Sequence, residues 1–134
     1  WHARNVLIGA LRNGSAAVFE WNLASDPWCG PHTAGGEARC VGALTIGDGI
    51  SRNVAYYVIA HAAKCVRPGS VRIFSDADAP LHSVAFLTPE ARIVLLVLNE
   101  ADRPRSFAIA FRGRHAEVTL PAAALASYVW RAAG

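Results

Sequence analysis

After Gly69 the hydrophobic period of this chain changes from 3.6 to 2 and stays there. A period of two places alternate side chains on opposite faces of a pleated strand, so the change separates a part that can be helical from a part that cannot. Six segments carry the shorter period: Val71–Ser75, Leu81–Leu87, Ile93–Asn99, Ser106–Phe111, Ala116–Leu120 and Leu125–Trp130. Their separators, Thr88-Pro89-Glu90, Asp102-Arg103-Pro104, Gly113 and Pro121, have turn chemistry. Phe107, Ile109 and Phe111 share one face of their strand, and Val118 and Leu120 alternate with Glu117 and Thr119. Strands this short and this closely spaced predict an antiparallel sandwich over residues 70–134.

Residues 1–69 read differently. Val6, Leu7, Ala10 and Leu11 fall at helical spacing within Ala3–Leu11, and Asn13-Gly14 stops that helix. Ser15–Leu23 predicts a strand on the β propensity of Val18, Phe19 and Trp21. Ala24–Arg39, with two prolines and three glycines, predicts a long functional loop. A short strand over Val41–Ile46 follows, then a helix over Asn53–Cys65 capped by Ser51 or Asn53, with Val54, Tyr57, Val58, His61, Ala62 and Cys65 on one face. Helix, strand, loop and helix make half of an α/β repeat, and one strand of such a repeat cannot close a core alone. The residues therefore predict a mainly β chain: an antiparallel β-sandwich preceded by half of an α/β repeat.

Composition excludes several classes. With 53% hydrophobic and 17% charged residues the chain is not disordered. Twelve arginines are scattered over its length and the net charge is only +3, which is no concentrated basic face for nucleic acid. No apolar run is long enough to span a membrane. Cys29, Cys40 and Cys65 are odd in number; Cys29 and Cys40 bracket the long loop, where a bridge would restrain it, although free buried thiols fit the pattern better. No two His or Cys residues have zinc-ligand spacing, so neither metal nor cofactor is expected. The 26 alanines and the arginine preference resemble the codon bias of a GC-rich bacterial genome. Trp1 stands where a start codon would place Met, and the sequence contains no Met, so a processed or partial chain is expected.

Phe19-Glu20-Trp21-Asn22-Leu23-Ala24, then Gly30-Pro31, Tyr56-Tyr57 with His61 and Lys64, and Arg67-Pro68-Gly69-Ser70-Val71-Arg72-Ile73 resemble the C-terminal part of glycoside hydrolase family 30, the family of glucosylceramidase. Val84-Ala85-Phe86, Ile93–Asn99 and Ser127-Tyr128-Val129-Trp130 look like the β-sandwich of the same family. The resemblance implies a retaining β-glycosidase with an eightfold β/α barrel and a fused sandwich that also uses strands from the N-terminal side. It places both catalytic glutamates before Trp1, so that no catalytic residue is expected in this chain. Ser15–Leu23 becomes the eighth barrel strand and Asn53–Cys65 the eighth barrel helix, so the fold class the resemblance implies is mainly β: an antiparallel β-sandwich preceded by the last α/β elements of a TIM-type barrel.

Matched to the family motif, Trp21 is a sugar-pocket residue whose indole packs on a pyranose face. Glu20 is a supporting group of the substrate shell or the partner of a barrel arginine. The loop Asp26–Cys40 forms part of the pocket rim, although His32 follows Gly30-Pro31 where the family has Asn. His61 and Lys64, three residues apart on one helix face, pack and cap rather than catalyse. Tyr128 and Trp130 pack inside the sandwich or, alternatively, offer a surface carbohydrate platform. The partners implied are a β-linked glycoside or glycolipid bound through the parent enzyme, and the remainder of the barrel; uncovered barrel surface also predicts self-association. Family likeness favours a secreted or periplasmic protein, with sphingolipid metabolism as one setting. A stand-alone β-sandwich acting as a carbohydrate-binding or protein-interaction module is the alternative function.

Overall fold

Two helices and nine strands order the computed structural model, which describes residues 1–76 and 78–132. Helix α1 begins π-wound over Ala3–Gly9 and closes with an α turn at Ala10–Arg12. Gly14, at φ 91°, supplies the left-handed residue that stops it, and the Ser15 amide donates back to the Ala10 carbonyl. β1 (Ala24–Ser25) pairs in parallel with β2 (Leu44–Ile46), which pairs antiparallel with β3 (Ile50–Arg52). Helix α2 spans Val54–Cys65. The second half contains β4 (Val71–Ile73), β5 (Leu81–Leu87), β6 (Arg92–Asn99), β7 (Arg105–Phe111), β8 (Arg114–Leu120) and β9 (Ala124–Arg131).

All six strands expected after Gly69 are present. β4, β5, β6 and β9 form an antiparallel sheet in that order, and β7 and β8 form a hairpin facing it. One face of the larger sheet carries Val84, Phe86, Val94, Leu96 and Leu98, which bury against Leu7 and Ile8 of α1 and are flanked by Val58, Ala62 and Cys65 of α2. The opposite face meets the hairpin, where Phe107 lies edge-on to Tyr128 at 6.1 Å and Phe111 edge-on to Trp130 at 5.8 Å. Tyr128 and Trp130 thus pack between the sheets, and partial burial raises the Tyr128 hydroxyl above its ordinary pKa. β6 is covered on both faces. Its run Ile93–Leu98 is therefore apolar throughout, whereas β7 alternates half-buried and exposed residues.

Asn99, at the end of β6, is completely buried. Its Nδ2 donates to the carbonyls of Arg103 (2.9 Å), Leu120 (3.2 Å) and Pro121 (2.8 Å), and its Oδ1 accepts from the Ala101 amide at 3.1 Å. One side chain therefore holds the β6–β7 connection to the end of β8. Two cationic ties fasten α1 to the sheet. Arg12 Nη1 donates to the carbonyls of Ser75 and Ser83 at 3.0 and 2.7 Å. Arg4 and His82 meet Glu100 at 2.8 and 3.0 Å; desolvation pushes that carboxyl up, and the hydrogen bonds from Arg4 and His82 together with the Arg4 charge outweigh it and lower its pKa.

Two expectations are corrected. Ser15–Leu23 forms no strand among the described residues, and pairing begins only at its far end, where the Asn22 and Leu23 carbonyls accept from the Ala43 and Leu44 amides. A strand exists through its neighbours' hydrogen bonds, and β propensity in Val18, Phe19 and Trp21 does not replace them. Of the two residues expected to cap α2, Asn53 is the one that does, and the expected apolar face is only partly buried. Asn53 occupies the N-cap position, but its Nδ2 donates to the Gly42 carbonyl (2.8 Å) and to Thr45 Oγ1 (2.9 Å), tying the helix start to β2. Of the expected apolar face, Val58, Ala62 and Cys65 pack on the sheet, while Val54 and Tyr57 are exposed.

The turn chemistry carries one testable consequence. Arg112 (φ 49°) and Gly113 (φ 76°) make the two-residue β7–β8 turn, but the β5–β6 turn places Ala91 at φ 53°. An L-residue there costs about 1–2 kcal/mol, offset in part by the smaller entropy of unfolded alanine. Ala91→Gly is expected to raise stability by about 0.5–1 kcal/mol, seen as a higher calorimetric Tm; an unchanged or lower Tm refutes the strain.

Candidate functional site

The loop between β1 and β2 is organised by Asp26. Its Oδ1 accepts from the Trp28 and Gly30 amides at 2.8 and 2.7 Å, and its own amide donates to the Gly30 carbonyl at 2.9 Å. This Asx-type turn holds Cys29 at φ 65° and leaves no space at residue 30, where a Cβ would lie 2.7 Å from Asp26 Oδ2. The far end is fastened as tightly. The Gly42 amide donates to Ser25 Oγ at 3.1 Å, and a Cβ on Gly42 would meet Asn22 Oδ1 at 2.6 Å and Ala24 Cα at 2.8 Å. The Trp21–Asn22 and Gly30–Pro31 peptides are cis.

Between these anchors lies a cavity of about 420 Å³, lined by Trp21 together with Cys29, Pro31, His32, Thr33, Gly36, Glu37 and Cys40. The Trp21 residue is 77% exposed, so its indole offers a wide apolar face beside polar groups. Glu37 is held by Arg39 through paired hydrogen bonds of 2.9 and 3.1 Å; these lower the carboxyl's pKa and raise the guanidinium's. His32 stands exposed on the rim, with its Nδ1 3.3 Å from the Thr33 carbonyl.

Glu20 does not join this cavity. Both of its oxygens lie 2.8 Å from His2 Nε2, and it borders a separate hollow with Leu7, Leu11, Val18, Ile59 and Ala62. Its partner in this chain is thus a histidine, not an arginine. Trp21 and Glu20, adjacent in sequence, face different spaces. Sequence reasoning placed the Asp26–Cys40 loop at a pocket rim but missed that both loop cysteines open into the cavity beside Trp21. The Gly30-Pro31 pair is the signal for the turn that carries Cys29, and the bracketing of the loop by Cys29 and Cys40 is the signal for the second thiol.

His61 Nδ1 hydrogen-bonds with Ser127 Oγ at 2.7 Å, joining α2 to β9, and burial lowers its pKa. A histidine kept neutral in the fold contributes stability that is present above its unfolded pKa, about 6.5, and is lost as pH falls through that value toward the lower folded one. Unfolding free energy measured from pH 7.5 to 5 is expected to decline, and His61→Gln is expected to flatten the decline. An equally steep profile in that variant would locate the effect elsewhere. Among the described residues no group of three His, Cys, Asp or Glu side chains is placed to hold a metal ion. No described helix is long and apolar enough to cross a membrane.

Residues 69–128 match the glycosyl hydrolase family 30 beta sandwich domain. The chain carries a glycosyl hydrolase family 30 sandwich. The chain is 32% identical over 108 residues to endo-1,6-beta-D-glucanase neg1 of Aspergillus fumigatus, across 74% of this chain and 22% of that protein. Two solved structures extend the likeness to nearly all of it. The endo-beta1,6-glucanase BT3312 superposes with a TM-score of 0.87 at 29% identity, covering 97% of this chain. SrfJ from Salmonella typhimurium superposes with a TM-score of 0.90 at 28% identity, covering 98%. The chain spans about a fifth of the curated relative and 30% of each solved chain.

Proposed function

We propose that this chain is the C-terminal part of a retaining β-glycosidase that cleaves β-1,6-linked glucan. The observation that carries the reading is the superposition of 97% of the chain on an endo-β1,6-glucanase at 29% identity. Residues 1–69 supply the last barrel elements and residues 70–134 the sandwich. Retaining hydrolysis needs two carboxyl groups about 5–5.5 Å apart, and the parent enzyme provides them outside these 134 residues. Within the chain, Trp21 stacks on a sugar ring. Glu20, fixed by His2, supports the pocket wall without touching the Trp21 cavity.

The physical partner of this piece is the rest of its own barrel. Phe19 and Leu23 are 93% and 75% exposed, and a large apolar side chain left in water forgoes about 1.5–3 kcal/mol of burial. The sandwich is open as well, with a hollow of about 420 Å³ between Leu95, Val97, Phe107 and Trp130. On its own the chain is expected to self-associate through these surfaces. A secreted or periplasmic bacterial enzyme suits the family, and a glycolipid such as glucosylceramide is the competing substrate.

The test measures reducing-sugar release from β-1,6-glucan and glucose release from glucosylceramide, by the parent enzyme and by this chain alone. Release from the glucan by the parent only is the expected result. Preference for glucosylceramide would move the enzyme to sphingolipid chemistry. Hydrolysis by the chain alone, abolished by Glu20→Gln, would put the catalytic machinery here and overturn the proposal. Saturable glucan binding without hydrolysis by the parent would favour a carbohydrate-binding module.

A further inference from the structure

Two of the three thiols in the sequence open into the cavity that carries Trp21, and the third, Cys65, lies against the helix-side core. We infer that Cys29 and Cys40 are a redox pair whose disulfide closes the loop beneath the Trp21 face. Three observations support this pairing. Both cysteines are half-buried and border one space of about 420 Å³. Each is placed by an anchored segment: Cys29 by the Asp26 turn, Cys40 by the chain entering Gly42, which is pressed against Ala24. His32 and Glu37 border the same cavity, yet no group of three potential ligands gathers among the described residues, so the thiols are not assembled for a metal.

The chemistry is thiol–disulfide exchange with a low-molecular-weight disulfide such as oxidised glutathione. One cysteine loses its proton, and its thiolate attacks a sulfur of the oxidant and expels a thiolate. The second cysteine, deprotonated in turn, displaces the remaining half and forms the Sγ–Sγ bond. Two protein thiols are oxidised, one small disulfide is reduced, and the two protons end on the departing thiols. Closing the ring immobilises the segment holding Pro31, His32, Thr33 and Gly36, and so fixes the rim that faces Trp21. Only the consequence for sugar binding rests on the glycosidase reading; the bond does not.

The experiment equilibrates the protein in glutathione buffers of graded ratio, blocks free thiols with an alkylating agent and maps the peptides. Oxidation is expected to remove about 2 Da from the chain, to protect Cys29 and Cys40 together and to leave Cys65 open to alkylation on unfolding. Cys40→Ser should instead trap a glutathione adduct on Cys29. Tryptophan emission should fall on oxidation, recover on reduction and stay constant in Cys40→Ser. Alkylation of both loop cysteines at every ratio, a bridge to Cys65, or a cross-link between two molecules would each overturn the pairing. If the bond forms but the KM for glucan in the parent enzyme is the same in both redox states, the pairing stands and its link to the sugar site fails.

Discussion

Asn99→Leu is expected to lower the unfolding free energy by about 3 kcal/mol or more, because it leaves buried carbonyls of Arg103, Leu120 and Pro121 and the Ala101 amide without their partner. Leucine keeps the branched, four-atom outline of asparagine and is the larger residue, so a cavity cannot explain such a loss. Asn99→Asp makes the sharper comparison. It keeps the acceptor for Ala101 but turns an oxygen toward three carbonyls, and it should cost at least as much at neutral pH. Urea unfolding followed by circular dichroism measures both variants. If Asn99→Leu loses less than about 1 kcal/mol, the connections after β6 and β8 are held by something other than this amide.

Trp21→Ala is expected to reduce kcat/KM of the parent enzyme on β-1,6-glucan by about 10- to 100-fold, which corresponds to about 1.5–3 kcal/mol of buried aromatic contact. The residue is 77% exposed and absent from the buried core, so the variant should keep its stability while losing its substrate. Trp28→Ala serves as the control. That residue is 80% exposed but does not line the cavity, and its removal should leave the rate unchanged. Equal losses in both variants would mean that the loop as a whole, not the Trp21 face, contacts sugar. Unchanged kinetics in Trp21→Ala would remove it from the site.

The sandwich was legible because its strands announce themselves locally. Phe107, Ile109 and Phe111 alternate with small residues, and their shared face is the one that meets Tyr128 and Trp130. Leu81–Leu87 was read to the residue. What the sequence could not show depends on partners distant in the chain. Ser15–Leu23 has the composition of a strand but forms no ladder here, since pairing is a property of two segments. Asn99 reads as one more polar residue at a strand end until the turns that converge on it are known. Likewise, the ten residues between Cys29 and Cys40 say nothing of the Asp26 turn and the Gly42 contact that set the two at one space. Trp21 could be singled out from the motif around it, and the separation of Glu20 from that cavity could not.

The burial of Leu7 and Ile8 against Val84, Phe86, Val94, Leu96 and Leu98 also constrains how such a chain can be inherited. A recombination breakpoint after Gly69 would match the change of hydrophobic period, yet it would give the sheet an unfamiliar α1 and break the Arg12 tie to Ser75 and Ser83. Chimaeras joined upstream of Trp1 keep that interface intact. The smallest segment that can pass between homologues without repacking is therefore the sandwich together with the helix that precedes it by some seventy residues.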